Sequence, residues 1–208
     1  QRMKVNFVGH LQSKTSIGMA ARDNLKAFKK AGIEPILFDQ PLAASEKSPY
    51  FKPAELKGRG ENSAEVNYMH FNPDQMRSFR ARFGEDFMKG KRNIGFWMWE
   101  ASNVPDHWKA EAEKFDEIWT ASHYCANIFR SEFPDVDIRV LPHLVEQPER
   151  ESDLERDDFG IDPSAFVFMF GFDAASRIER KNPSSLVQAI LRVRQSVPEA
   201  QLVIKARN

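Results

Sequence analysis

The chain has 208 residues, 41% hydrophobic and 29% charged, with 30 basic against 30 acidic side chains. This is the composition of a globular protein, and the charge balance offers no overall attraction to nucleic acid or to an anionic membrane. The single cysteine, Cys125, excludes an intramolecular disulfide and a multi-cysteine metal site. It fits a reducing compartment, and neither a signal-peptide core nor an apolar run of roughly 18 residues stands out, so a cytoplasmic protein is expected.

Short apolar segments alternate with amphipathic ones along the chain. Residues 4–10 (KVNFVGH) predict a strand, and residues 18–31 a helix closed by Gly32. Residues 35–39 (PILFD) predict the second strand. Residues 40–62 are polar and rich in Pro, Gly, Ser and Lys, and a loop of that length inside a domain is usually functional. Residues 65–71 restart as a strand, and residues 73–83 predict a helix with Pro73 in its first turn. Residues 94–99, 117–121 and 138–141 predict further strands separated by helices. Such alternation predicts an α/β fold with a parallel, doubly wound sheet.

Residues 1–145 therefore read as one domain and the acidic stretch 146–164 as a linker. Residues 165–172 (AFVFMFGF) are apolar enough for a strand buried on both faces. A helix over 182–193 and a strand over 201–205 follow. About 45 residues cannot complete a doubly wound domain, so 165–208 is expected to be the beginning of a second one.

Several motifs have a chemical and a plain reading. Residues 9–15 (GHLQSKT) have the Lys14-Thr15 of a phosphate loop, but Val8 and Ser13 stand where that loop needs glycines. No G-x-G-x-x-G follows the first strand, which counts against a dinucleotide oxidoreductase. Gly18 at a helix start either offers its N–H to a phosphate or makes a tight turn. Asp135-Val136-Asp137 precedes a strand, the wrong end for a ligand site, and reads as surface loop. His70, His123 and His143 fall at or just after strands, and the carboxyl ends of parallel strands are where ligands bind. Trp97, Trp99 and Trp119 read mostly as core. Glu100 is a helix cap or a ligand group. Arg180 and Lys181 follow the apolar strand and precede a helix, which suits a diphosphate or a solvated turn.

Taken together, GFWMWEASNVPDHW, FDEIWTASHYCANIFR, VLPHLV and FGFDAASRIERKNP resemble family 4 glycosyltransferases of the GT-B architecture. The likeness is to the bacterial enzymes of polysaccharide and lipopolysaccharide assembly, and SIGMAARDNLKAF is similar to their glycine loop and first helix. The resemblance implies two Rossmann-like domains, an acceptor side in the N-terminal one and a nucleotide-sugar side in the C-terminal one. It implies transfer with retention from a nucleotide-sugar donor to a glycan or lipid-linked acceptor, with no metal, no other cofactor and no nucleic-acid partner. A lipid-linked acceptor is compatible with peripheral association at the inner membrane face. Carried over, Arg180 and Lys181 would neutralise the departing diphosphate, with His123 as a further catalytic group. Gly18 would approach the donor phosphates, and Glu100, His70 and Trp99 would line the sugar or acceptor side. The loop 40–62 is the expected seat of acceptor choice. Two departures stand out: Gly18 is preceded by Ile17 instead of a second glycine, and the family's Glu-x7-Glu segment is not in the chain. The 208 residues alone are therefore expected to be inactive. The alternative is a non-catalytic module of the same fold serving a polysaccharide assembly complex.

Overall fold

The computed structural model describes residues 3–42, 50–146, 153–174 and 178–207. Six short apolar segments form one parallel sheet: β1 (Val5–Gly9), β2 (Ile36–Asp39), β3 (Val66–His70), β4 (Arg92–Phe96), β5 (Glu117–Thr120) and β6 (Asp137–Val140). Their order is β2-β1-β3-β4-β5-β6, with every neighbouring pair parallel. Helices follow four of them: α1 (Ser16–Lys30) after β1, α2 (Met76–Phe83) after β3, α3 (His107–Ala112) after β4 and α4 (His123–Glu132) after β5.

Alternation along the strands sorts the core into two layers. Phe7, Tyr68 and Phe96 pack with Leu25 of α1 in one cluster. Val8, Met69 and Ile118 join Phe79 of α2, Trp108 of α3 and Phe129 of α4 in the other. Helix α1 thus covers one face and α2, α3 and α4 the opposite one. The winding reverses between β1 and β3, and in open parallel sheets a crevice forms at the carboxyl ends where it does so.

Local chemistry sets the helix ends. Thr15 accepts the Gly18 N–H at 3.4 Å and Ser122 the Cys125 N–H at 3.2 Å, which caps α1 and α4. Gly32, at φ +76°, lets the Ile33 N–H return to the Phe28 carbonyl at 3.0 Å and close α1.

A buried amide ladder crosses the sheet. Asn6, Asn67 and Asn93 occupy one register row on β1, β3 and β4. Asn6 Nδ2 donates to Asn67 Oδ1 at 2.8 Å, and Asn67 Nδ2 donates to Asn93 Oδ1 at 2.7 Å. Asn93 Nδ2 in turn donates to the Met88 carbonyl at 3.0 Å. On β5, buried Glu117 takes Trp119 Nε1–H at 2.7 Å, pairs with Arg139 at 2.9 Å and also binds Arg92. Burial alone would raise its pKa, but these hydrogen bonds and charges hold it below the usual carboxylate range.

Three expectations change. Strand β4 ends at Phe96, not at residue 99; the Trp97 N–H makes the last bond of its ladder with β5, to the Trp119 carbonyl at 2.9 Å. The helix expected from Pro73 begins as a 3₁₀ turn, Pro73–Gln75, and becomes α-helical at Met76. In the 40–62 segment, whose residues 43–49 lie outside the described ones, Leu56 bridges to Leu37 in parallel and Pro53–Glu55 forms a 3₁₀ turn.

The chain divides into two compact units, Gln1–Glu146 and Gln147–Asn208. In the second, the parallel strands β7 (Val167–Asp173) and β8 (Gln201–Arg207) are connected through α5 (Ile178–Lys181) and α6 (Pro183–Val193). The strand expected to be buried on both faces is not: Met169 is 70% exposed and neighbouring Phe166 63%. Among the described residues β7 pairs only with β8, and α6 packs on β8. Part of the expected linker, residues 147–152, lies outside the described residues. Among the described residues no helix is long and apolar enough to cross a membrane.

Candidate functional site at the carboxyl edge of the sheet

His70 ends β3, in register with Gly9 at the end of β1. A Cβ on Gly9 would lie 3.3 Å from Ala21 Cβ and 3.4 Å from His70 Cβ, so glycine is what lets α1 and β3 close here. The His70 ring is fully buried and stacks on Phe96, with centroids 4.6 Å apart and planes at 10°. Phe96 also meets His143, with ring centroids 5.6 Å apart.

Neither ring nitrogen of His70 has a hydrogen-bond partner, and nor do His143 Nδ1, Thr120 Oγ1 or Gln40 Oε1, all buried. Buried polar groups are normally paired, so such a set at the strand ends marks a place for water or ligand. Burial drives the His70 pKa down to about 3; weak contact with its own main chain opposes this, and His143 and His10 add to it. The ring is therefore neutral near pH 7, with one nitrogen to donate and one to accept.

Beyond β6, residues 141–146 return across the sheet to α1. The Leu141 N–H bonds to the Thr120 carbonyl at 2.8 Å, His143 reaches Phe96, and Glu146 pairs with Lys26 at 3.2 Å and with Lys30.

The β1–α1 loop forms the neighbouring wall. His10 Nδ1 lies 2.5 Å from the Gln40 carbonyl; burial lowers its pKa, while that bond and Asp39 oppose the shift. Arg22 donates to the Leu11 carbonyl at 3.1 Å and the Ser13 carbonyl at 2.7 Å, and its guanidinium lies 3.7 Å from the Tyr50 ring centroid. Gln12 clamps Phe51 through both main-chain groups, at 2.8 and 3.2 Å. Gly18 is buried beneath this loop, where a Cβ would come within 2.3 Å of the Ser13 carbonyl oxygen. Its N–H goes to Thr15 Oγ1 at 3.4 Å.

The residues singled out in the sequence fall as follows. His123 is the exposed first residue of α4. Cys125 Sγ donates to the Trp99 carbonyl at 2.9 Å, tying the first turn of α4 to the loop that carries Trp99 and Glu100. Trp99 is half-buried against Trp108 at 4.7 Å, and its Nε1–H goes to the Asn103 carbonyl. Glu100 is exposed, four residues beyond β4, and is not the cap of α3, a position held by Asp106. Gly18, His70, Trp99, Glu100 and His123 thus share the carboxyl edge of the six-stranded sheet. Arg180, exposed, and Lys181, half-exposed, end α5 in the second unit. Asp135 and Asp137 are exposed near the amino end of β6, and Asp137 pairs with Arg139 at 2.7 Å.

His10, Gln40 and Phe96 belong to the site but were not singled out from the sequence. Each ends or immediately follows a strand, the one local signal available. Among the described residues no group of three or more His, Cys, Asp or Glu side chains is placed to hold a metal ion. No family model matches this chain, and no curated protein matches it.

Proposed function

We propose that this chain belongs to a retaining, metal-independent sugar transferase, of which Gln1–Glu146 is the acceptor-side domain and Gln147–Asn208 part of the nucleotide-sugar side. The supporting observation is where the resembling segments fall. SIGMAARDNLKAF opens α1; GFWMWEASNVPDHW and FDEIWTASHYCANIFR run from strand to helix through β4–α3 and β5–α4; VLPHLV leads out of β6. All four face one edge of a parallel sheet, the edge that also carries the unpartnered polar groups of His70, Thr120 and His143.

On this reading the first unit receives the acceptor with neutral hydrogen-bonding groups and aromatic faces. Arg180 and Lys181 meet the donor diphosphate and stabilise the charge that grows on it as the glycosidic bond breaks. Arg180 presents a planar fork to two phosphate oxygens, and Lys181 a point charge.

The test is turnover of nucleotide-sugars by the natural polypeptide that contains this chain, compared with its Arg180→Ala/Lys181→Ala variant. Preplaced charges at a developing anion contribute about 100-fold or more, so the variant should lose at least that in kcat. Equal rates would remove both residues from the donor site.

A further inference from the structure

We propose that residues 50–56 are a flap, latched onto the β1–α1 loop by Gln12 and Arg22 and hinged where the chain meets β2. Gln12 Nε2 donates to the Phe51 carbonyl at 2.8 Å and Gln12 Oε1 accepts the Phe51 N–H at 3.2 Å, so one side-chain amide holds both main-chain groups of one residue. Beside it, the Arg22 guanidinium lies 3.7 Å from the centre of the Tyr50 ring. The hinge is main chain. Leu56 bridges to Leu37 of β2 in parallel, and the Lys57 N–H donates to the Leu37 carbonyl at 2.8 Å.

Between latch and hinge the segment closes on itself. Its 3₁₀ turn, Pro53–Glu55, is completed by Glu55 Oε2, which accepts the Lys52 N–H at 2.7 Å. Residues 52–55 are exposed, and Phe51 and Leu56 are half-buried at the margin of the cluster around α1. No side chain of residues 50–56 is fully buried. A segment with few buried apolar contacts and solvent-exposed main-chain bonds opens by itself, well short of unfolding the domain. The turn therefore moves as a unit once the latch is undone.

Arg22 couples the flap to the loop. The guanidinium that faces Tyr50 also donates to the Leu11 and Ser13 carbonyls, at 3.1 and 2.7 Å. Gln12, between them in sequence, is itself fixed to β2 through its N–H, which Asp39 Oδ1 accepts at 3.1 Å. The same two side chains thus set the path of residues 11–13 and hold the tip of the flap. Whatever displaces residues 11–13 loosens the latch, and whatever opens the flap loosens residues 11–13, because coupling between two sites is reciprocal.

The test is made on the 208-residue chain, with chymotrypsin cleavage after Phe51 and amide exchange by NMR at Ser13, Glu55, Leu56 and Lys57. At low protease the cleavage rate tracks the open population. Gln12→Ala should raise that rate about tenfold, the effect of losing roughly one net hydrogen bond. Glu55 and Leu56, bonded within the flap, should exchange faster in step, while Lys57 at the hinge stays as slow as in the wild type. Tyr50→Ala, an exposed change that leaves Gln12 in place, should raise the cleavage rate about twofold to fivefold. It should also quicken exchange of the Ser13 N–H, which bonds to the His10 carbonyl at 3.1 Å. Cleavage at the wild-type rate in both variants would overturn the latch. Lys57 exchanging together with Glu55 and Leu56 would overturn the hinge, and an unchanged Ser13 in Tyr50→Ala would overturn the coupling through Arg22.

Discussion

His70, at the end of β3 beside the point where the winding of the sheet reverses, lies flat against Phe96 of β4, 4.6 Å between ring centroids. Because burial holds the folded-state pKa near 3, against 6.5 in the open chain, the unfolded protein binds the proton first on acidification. The contribution of His70 is complete above pH 6.5 and is lost as pH falls from there toward about 3. His70→Phe should abolish this dependence. Between about pH 8 and about pH 5, wild-type stability should fall by roughly 2 kcal/mol more than that of the variant. Urea unfolding at the two pH values checks it, and parallel profiles would show that His70 is not held neutral.

Asn67 receives Asn6 and donates to Asn93 in the buried row across β1, β3 and β4. Asn67→Leu would take the donor from Asn93 Oδ1 and the closer acceptor from Asn6 Nδ2, leaving the latter only the Ala64 carbonyl at 3.4 Å. A loss of about 2–4 kcal/mol is expected, read from the urea midpoint at constant m-value. A loss no larger than that of an exposed asparagine would mean that water replaces the ladder.

Gly18→Ala places a methyl group 2.3 Å from the Ser13 carbonyl oxygen and 2.8 Å from that of His10, both main-chain atoms. The loop must move, at a cost of about 1–3 kcal/mol, and should release Arg22 from its two carbonyls. Thermal unfolding gives the cost, and the amide shifts of residues 10–15 report the displacement.

Ser122→Ala removes the cap of α4 and should cost about 0.5–2 kcal/mol. The same turn holds the loop of Trp99 through Cys125, so amide exchange in residues 97–106 should quicken together with that of α4. Faster exchange in α4 alone would mean that the loop is held by other contacts.

The sheet was legible because parallel strands buried on both faces read as short apolar runs punctuated by helices. Residues 5–9 and 66–70 fell within a residue or two of their predicted ends. The end of β4 was not legible: Trp97 continues the apolar run, and burial in the core at 1% exposure is compatible with strand or loop. In the second unit the apolar character of residues 165–172 was plain, but burial depends on neighbours that a local reading does not supply. Within the site, His70 and His143 were visible as strand-end histidines. The partnership of His10 with Gln40 and the stacking of His70 on Phe96 join residues 30 and 26 positions apart, which no local pattern encodes.

Calorimetric titration of the natural polypeptide containing this chain with UDP-, GDP-, ADP- and dTDP-sugars is the most direct test of the transferase proposal. Saturable binding of one nucleotide class, unchanged by chelator and lost in Arg180→Ala/Lys181→Ala, is the predicted result. Absence of binding to all four would contradict a transferase and favour a non-catalytic module built on the same sheet.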